Sequence, residues 1–150
     1  MLGLVLTLQK VRHRRNLIQF GDMIMCATNL GVIDGLRTYN GYGCYCGLGG
    51  GGIPLDDTDT CCQVHDACYN YGTSGCWWLK QYFVLYDYTK DNCGTDSAEI
   101  NCKTVDQYGD DNDAACKAAI CKCDSDAALC FARNRDSQDD KYEDYDKSLC

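Results

Sequence analysis

Several common signals are missing from this sequence, and each absence excludes a class of site. The glycine-rich stretch at residues 43–52 is not followed by Gly-Lys-Ser or Gly-Lys-Thr, which argues against a P-loop for nucleotide phosphates. The histidines and cysteines lack the paired Cys-x-x-Cys and His-x-x-x-His spacings typical of zinc sites. Basic residues are few, with 14 lysines and arginines against 22 aspartates and glutamates. The net charge is −8, and we expect no nucleic-acid partner.

Cysteine, by contrast, is abundant, with 14 in a chain of 150 residues. An even and high count indicates disulfide bonds formed in an oxidising compartment, so we expect a secreted, extracellular protein. A zinc protein is the alternative, and the spacings argue against it. A chain of this length is expected to form one domain.

The first fifteen residues differ from the rest. Met1–Leu8 is an apolar run too short to span a bilayer, and Lys10–Arg15 is strongly basic. We interpret residues 1–15 as a leader or propeptide remnant that ends in a dibasic processing site; an N-terminal helix extension is the alternative. The mature domain, residues 16–150, then loses four basic residues, so its net charge falls from −8 to −12. His65 is its only histidine.

The segment Cys61–Tyr69 places a histidine, a carboxylate and three cysteines within nine residues. In a helix Cys61, His65 and Cys68 share one face because they are spaced i, i+4 and i+7. If both cysteines bridge to a neighbouring element, His65 is held between two crosslinks. Asp66 then points elsewhere, which predicts a rigid platform for a base and a separate anionic ligand.

Other segments are less distinctive. Leu17, Phe20 and Ile24 have helical spacing, which fits either a core-facing helix or the wall of an apolar channel. Residues 29–43 are rich in Gly, Asn and Tyr and are predicted to be irregular. A hairpin turning near residues 94–98 and a helix over residues 114–131 are predicted next.

Residues 43–52, here called the glycine loop, carry Cys44 and Cys46 and six glycines. Such a tethered loop can turn sharply and present carbonyls to a cation or amides to an anion. The helix predicted after it is preceded by aspartates suited to its N-terminus and ends near Tyr71. The acidic tail after residue 135 is predicted to be surface-bound or flexible, and pinned by Cys150.

Three segments together resemble the secreted phospholipase A2 family. Tyr42–Gly50 resembles its calcium loop, Cys61–Tyr69 its active-site helix, and Ile120–Asp124 the segment that supplies a second catalytic carboxylate. The resemblance implies a mainly α fold with an N-terminal helix, a calcium loop, two long antiparallel disulfide-linked helices and a small two-stranded β-wing. It also implies seven disulfides, Cys26–Cys93, Cys44–Cys150, Cys46–Cys62, Cys61–Cys130, Cys68–Cys123, Cys76–Cys116 and Cys102–Cys121. The first of these pairs resembles the group I subclass of pancreatic enzymes and elapid venoms.

The resemblance implies a role for each residue of the set. His65 is expected to act as general base on water, and Asp124 to accept the other ring N–H. Tyr69 and Tyr86 resemble the tyrosines that hydrogen-bond this carboxylate. Gly47 is expected to supply an N–H to the oxyanion.

The resemblance also implies a Ca²⁺ ion as cofactor. Two oxygens of Asp66 and the carbonyls of Tyr45, Gly47 and Gly49 are the expected protein ligands, all of them hard oxygens. The implied activity is calcium-dependent hydrolysis of the sn-2 ester of glycerophospholipids, which releases a fatty acid and a lysophospholipid. A catalytically weak or silent toxin or binding protein on the same scaffold is the alternative.

The implied partner is a phospholipid membrane or micelle surface. Leu17, Phe20 and Ile24 then become the wall of a channel for the acyl chains. Trp77 and Trp78 are the candidates for interfacial contact, since Trp favours the headgroup region; partial core burial is their other interpretation. A monomer or weak homo-oligomer is expected, and no cysteine is left over for a covalent partner.

Overall fold

The computed structural model describes residues 17–73, 75–77 and 80–150 of the chain. These residues form a mainly α fold, as predicted, with four α-helices, several short 3₁₀ helices and one hairpin. The helices are α1 over residues 17–28, α2 (Val32–Tyr39), α3 (Asp57–Tyr71) and α4 (Ala114–Arg133). The antiparallel hairpin pairs β1 (Tyr88–Asp91) with β2 (Glu99–Cys102), placing Tyr88 opposite Cys102. Among the described helices, none has the length and apolar character needed to cross a bilayer.

Helices α3 and α4 are crosslinked twice. Cys61 pairs with Cys130 and Cys68 with Cys123, each with Cα atoms 5.8 Å apart, so the two helices run antiparallel. All seven pairs implied by the family resemblance are present, and none of the fourteen cysteines is free. The inner face of α4 is buried against the core through Ile120, Ala128 and Phe131.

Helix α2 corrects the sequence prediction, which treated residues 29–43 as irregular. The helix packs one narrow face, formed by Gly35, Thr38 and Tyr39, into the protein. The ring of Tyr39 stacks on that of Phe131, with centroids 4.2 Å apart. Short helices gain most of their stability from such tertiary packing, and composition alone does not reveal it.

The aspartates that the sequence analysis placed before helix α3 form its N-cap and part of its first turn, and they have distinct tasks. Asp56 is the N-cap, and its carboxylate accepts a hydrogen bond from the Asp59 N–H at 2.8 Å. Asp59 itself is completely buried and turns away from the helix. Its carboxylate accepts backbone N–H groups of Cys44, Tyr45 and Leu55 at 2.8 to 2.9 Å. The start of the glycine loop is therefore fastened to α3 by one buried charge.

Glycine is required where the loop crosses Asp59. Gly43 has a positive φ of 57°, and a Cβ there would overlap the carboxylate of Asp59. Its N–H donates to the Tyr142 carbonyl at 2.9 Å, in the chain that follows α4. This close approach brings a distant part of the chain onto the loop.

The chain after α4 returns to the glycine loop and lies along it. We call residues 139–150 the C-terminal strap. Within it, Tyr145 N–H donates to the Gly41 carbonyl at 3.1 Å, and Cys150 is bonded to Cys44. The acidic tail is thus surface-bound and pinned by Cys150, and its backbone is hydrogen-bonded into the fold.

Replacing the buried carboxylate of Asp59 tests its structural role. In Asp59→Asn an amide NH₂ faces a backbone N–H that previously had an acceptor, so a buried donor loses its partner. We expect a loss of about 3 kcal/mol of unfolding free energy, measured by guanidinium denaturation with the disulfides intact. Asp57→Asn is the matched control, because Asp57 is exposed in the same helical turn. Equal stability of the two variants would contradict the role given to Asp59.

Candidate active site

His65 lies between the two bridges of α3 and faces α4. Its Nε2 is 2.7 Å from Oδ1 of Asp124, whose side chain is completely buried, while 17 % of the histidine side chain is exposed. Because the ionised carboxylate accepts hydrogen bonds, Nε2 carries the ring proton. Nδ1 is then the nitrogen with a free lone pair, and His65 lines a cavity of about 760 Å³.

The buried carboxylate of Asp124 is fully engaged. Besides His65, it accepts the hydroxyl of Tyr69 at 2.8 Å on Oδ1 and that of Tyr86 at 2.6 Å on Oδ2. Burial, and secondarily the charge of Asp124, raises the pKa of Tyr86, so its hydroxyl stays protonated and remains a donor. Three donors compensate for the removal of this charge from water.

A residue of α1 holds Tyr86 in place. The side-chain amide of Gln19 donates to the Tyr86 carbonyl at 2.7 Å, and its oxygen accepts the Tyr86 N–H at 3.2 Å. Sequence analysis gave no role to Gln19, which is one polar residue among apolar neighbours. Its spacing carries no signal of the contact, because the partner lies 67 positions away.

The apolar side of the cavity comes from α1. Leu17, Phe20 and Ile24 all line it, so the channel-wall interpretation describes their location, although Ile24 is also buried in the core. The ring of Phe20 stacks on that of His65, with centroids 4.5 Å apart and planes inclined by 13°. Phe20 thus covers one face of the imidazole and shields it from water.

The glycine loop forms the opposite side. Tyr45, Gly47, Gly49 and Asp66 line the same cavity as His65. The loop lies directly over the carboxylate of Asp66, since a Cβ at Gly50 would come within 2.9 Å of Oδ2. The structure therefore brings the four expected calcium-ligand residues to one place.

The carboxylate of Asp66 differs from the other buried carboxylates in having no hydrogen bond or ion pair to any described residue. Burial raises its pKa, against the opposing effects of His65 and Lys147. A half-buried carboxylate without a partner, overlaid by backbone of a loop, is an arrangement that a hard cation can satisfy. The oxygen donors of Asp66 and the loop carbonyls fit Ca²⁺ in kind.

One ammonium lies against the loop from the side of the strap. Lys147 Nζ donates to the carbonyls of Gly43 at 3.0 Å and of Cys46 at 2.8 Å. Burial lowers the pKa of Lys147, while the negative charges of Asp59 and Asp66 raise it. The sequence showed only a lysine in an acidic tail, and nothing in its surroundings indicated this contact.

Large apolar side chains are exposed at the mouth of the cavity. Leu17, Leu48 and Tyr71 line it and are 55 %, 86 % and 88 % exposed. Trp77 is 68 % exposed and lies outside the lining, with the Lys80 ammonium 5.7 Å from its ring centroid. Trp78 and residues 1–16 lie outside the described residues, so the expectations about Trp78 and about the leader stay predictions.

Comparison with known proteins identifies the family. A family model described as phospholipase A2 matches residues 17–143. A phospholipase A2 of Acanthaster planci is 48 % identical over 139 residues, covering 91 % of this chain and 86 % of the relative. An acidic phospholipase A2 of Eristicophis macmahoni is 44 % identical over 135 residues, covering 90 % of this chain and 95 % of the relative. The chain therefore belongs to the phospholipase A2 family.

Proposed function

We propose that this protein is a secreted, calcium-dependent phospholipase A2 that hydrolyses the sn-2 ester of glycerophospholipids. One observation carries the proposal: His65, which is paired with the buried Asp124 at 2.7 Å, lines the same cavity as Asp66, whose carboxylate has no partner among the described residues. The names of the relatives support the reaction class. Fourteen paired cysteines support secretion.

In this mechanism His65 acts on a water molecule. Nδ1 takes a proton as the water oxygen attacks the sn-2 carbonyl, and the buried charge of Asp124 stabilises the imidazolium that forms. His65 then returns the proton to the departing oxygen, which leaves as the hydroxyl of the lysophospholipid. Tyr69 and Tyr86 keep Asp124 oriented, and Phe20 limits access of bulk water to the imidazole.

The metal is assigned to the glycine-loop side. Asp66 and the carbonyls of Tyr45, Gly47 and Gly49 would hold Ca²⁺, which when bound supplies positive charge for the substrate phosphate and the ester oxygen. The Gly47 N–H is the group of the chain that donates to the developing oxyanion. The side chains of α1 accept the acyl chains on the opposite wall.

The exposed apolar rim serves docking on lipid. Leu17, Leu48 and Tyr71 surround the entrance, so their insertion into the headgroup region would bring a phospholipid to the cavity without passage through bulk water. The net charge of −12 in residues 16–150 favours zwitterionic surfaces over anionic ones.

Substitution of the general base tests the reaction directly. We expect His65→Gln to lower the rate of fatty-acid release from zwitterionic phospholipid vesicles by about a thousandfold, within the range for loss of a general base. Calcium binding by calorimetry and the mass of the fully disulfide-bonded chain should be unchanged. Wild-type protein that binds vesicles without releasing fatty acid would instead favour the alternative, a catalytically silent toxin or binding protein on the same scaffold.

Asp66→Asn separates the metal site from the base. Burial raises the pKa of Asp66 above its unfolded value, so the metal-free wild type loses stability as pH rises through that pKa. In chelator at pH 7 we therefore expect the variant to melt at a higher temperature than wild type, and the difference to vanish at acidic pH. Calcium should raise the melting temperature of wild type only. A calcium-induced rise in the variant would contradict the assignment of Asp66.

The rim is tested by placing one charge in it. Leu48→Asp should weaken partitioning to zwitterionic vesicles severalfold, because a carboxylate must leave water at the interface. Hydrolysis of a monomeric short-chain phospholipid should change little. Val105→Asp is the control, since Val105 is 47 % exposed and does not line the cavity. Equal partitioning of the two variants would remove Leu48 from the docking surface.

A further inference from the structure

The peptide unit between Cys46 and Gly47 is held from the side of the C-terminal strap. Lys147 Nζ donates to the Cys46 carbonyl at 2.8 Å, and the same ammonium donates to the Gly43 carbonyl at 3.0 Å. Two hydrogen bonds from one side chain to two loop carbonyls fix the ammonium relative to the loop. They also fix the direction in which the Cys46 carbonyl points.

That direction determines where the Gly47 N–H points. A trans peptide unit is planar, and its C=O and N–H are antiparallel. The described chain contains no cis peptide bond. With the Cys46 carbonyl directed at Lys147, the Gly47 N–H of the same unit is directed away from the strap. This N–H has no hydrogen bond to any described residue, and Gly47 lines the cavity.

The loop itself cannot supply this orientation. Gly47 has a positive φ of 96°, in a segment of several glycines whose backbone has many accessible conformations. A Cβ at Gly47 would lie 3.1 Å from the Gly41 nitrogen, so a larger residue could not stiffen the position without displacing its neighbour. An external contact must therefore restrict rotation of the peptide unit.

The contact also changes the strength of the donor. An ammonium bound to a carbonyl draws electron density from the peptide unit and makes its N–H a better hydrogen-bond donor. Such donors are most effective when they are fixed and polarised before charge develops on the substrate. Lys147 both fixes and polarises the Gly47 N–H, which is the one N–H that the mechanism assigns to the oxyanion.

We propose that Lys147 is a positioning residue for catalysis, which orients and polarises the Gly47 N–H toward the oxyanion through the Cys46 carbonyl. The proposal rests on the hydrolytic function proposed above. It assigns the C-terminal strap an active part in the reaction, although no residue of the strap lines the cavity.

We expect the strap to remain docked when Lys147 is changed, because its other attachments do not involve this side chain. Cys150 stays bonded to Cys44, and the Tyr145 N–H to Gly41 carbonyl contact is independent of the lysine side chain. The test variant is Lys147→Met, which keeps an unbranched side chain one atom shorter than lysine and removes its donors and charge. Lys141→Met is the matched control, because Lys141 is an exposed lysine of the same strap paired with Asp139.

The first measurement needs no activity. In ¹⁵N-labelled, metal-free protein we expect the Gly47 amide proton to move upfield in Lys147→Met and its base-catalysed exchange with solvent to slow, because an N–H that is no longer polarised is a weaker acid. Lys141→Met should leave both unchanged. An unchanged Gly47 amide in Lys147→Met would overturn the proposal whatever the kinetics.

The second measurement separates transition-state from ground-state effects. Lys147→Met should lower kcat about tenfold, less than the 10²- to 10³-fold typical of losing an oxyanion donor outright, with vesicle affinity unchanged. Affinity for a phospholipid bearing a phosphonate in place of the sn-2 ester should fall by a similar factor. Affinity for the corresponding sn-2 amide should not change. Lys147→Arg, which keeps the charge and can still donate two hydrogen bonds, should restore most of the rate.

Two outcomes distinguish this proposal from the proposed function. A wild-type protein that does not hydrolyse phospholipid refutes the function and the present proposal together. A wild-type protein that does hydrolyse it, with equal rates in Lys147→Met and Lys141→Met, refutes the present proposal alone.

Lys147→Gln, a shorter side chain with a neutral donor, is the second variant and is expected to show an intermediate rate. Equal losses of phosphonate and amide binding would indicate a merely structural role.

Discussion

The two disulfides between α3 and α4 fix the distance on which the rest of the site depends. His65 and Asp124 are on different helices, and their 2.7 Å contact requires that neither helix slide or rotate. Cys61–Cys130 lies on one side of His65 and Cys68–Cys123 on the other. The interface of a small domain has limited apolar area, so covalent bonds provide rigidity that packing alone would not. Disulfide crosslinking thus accounts both for the many cysteines of the chain and for the fixed distance between His65 and Asp124.

Three aspartates of this small domain are removed from water to different extents, and their partners explain what each can do. Asp124 and Asp59 are fully buried, and each accepts three hydrogen bonds. Their charges are compensated, so they hold other groups in place. Asp66 is half-buried without any such partner among the described residues, so its carboxylate keeps the capacity to bind something else. The contrast separates two carboxylates that hold neighbouring groups in place from one that can still accept a further partner.

The sequence predicted the parts of this structure that depend on short segments with unusual residues. The helix carrying His65, the seven disulfides implied by the resemblance, and the set of residues around the cavity all came from such segments. The prediction of irregular structure for residues 29–43 was wrong over Val32–Tyr39, because α2 is stabilised by packing of Tyr39 on Phe131 rather than by its composition. Gln19, Asp59 and Lys147 gained their roles only from the structure. Each acts on backbone groups far along the chain, and no local pattern encodes such contacts.

Ordering the glycine loop costs conformational entropy, and the fold determines when that entropy is lost. Glycine loses more conformational freedom on ordering than any other residue, so a loop of glycines that closed only around a bound ion would bind it weakly. Here the loop is already constrained: Cys44 and Cys46 are bonded to other segments, Asp59 holds two of its N–H groups, and Lys147 holds two of its carbonyls. The entropy of ordering is therefore lost during folding, where burial and disulfides offset it, and not during binding. This preorganisation explains how contacts far from the cavity, including those of the strap, determine the shape of the loop that lines it.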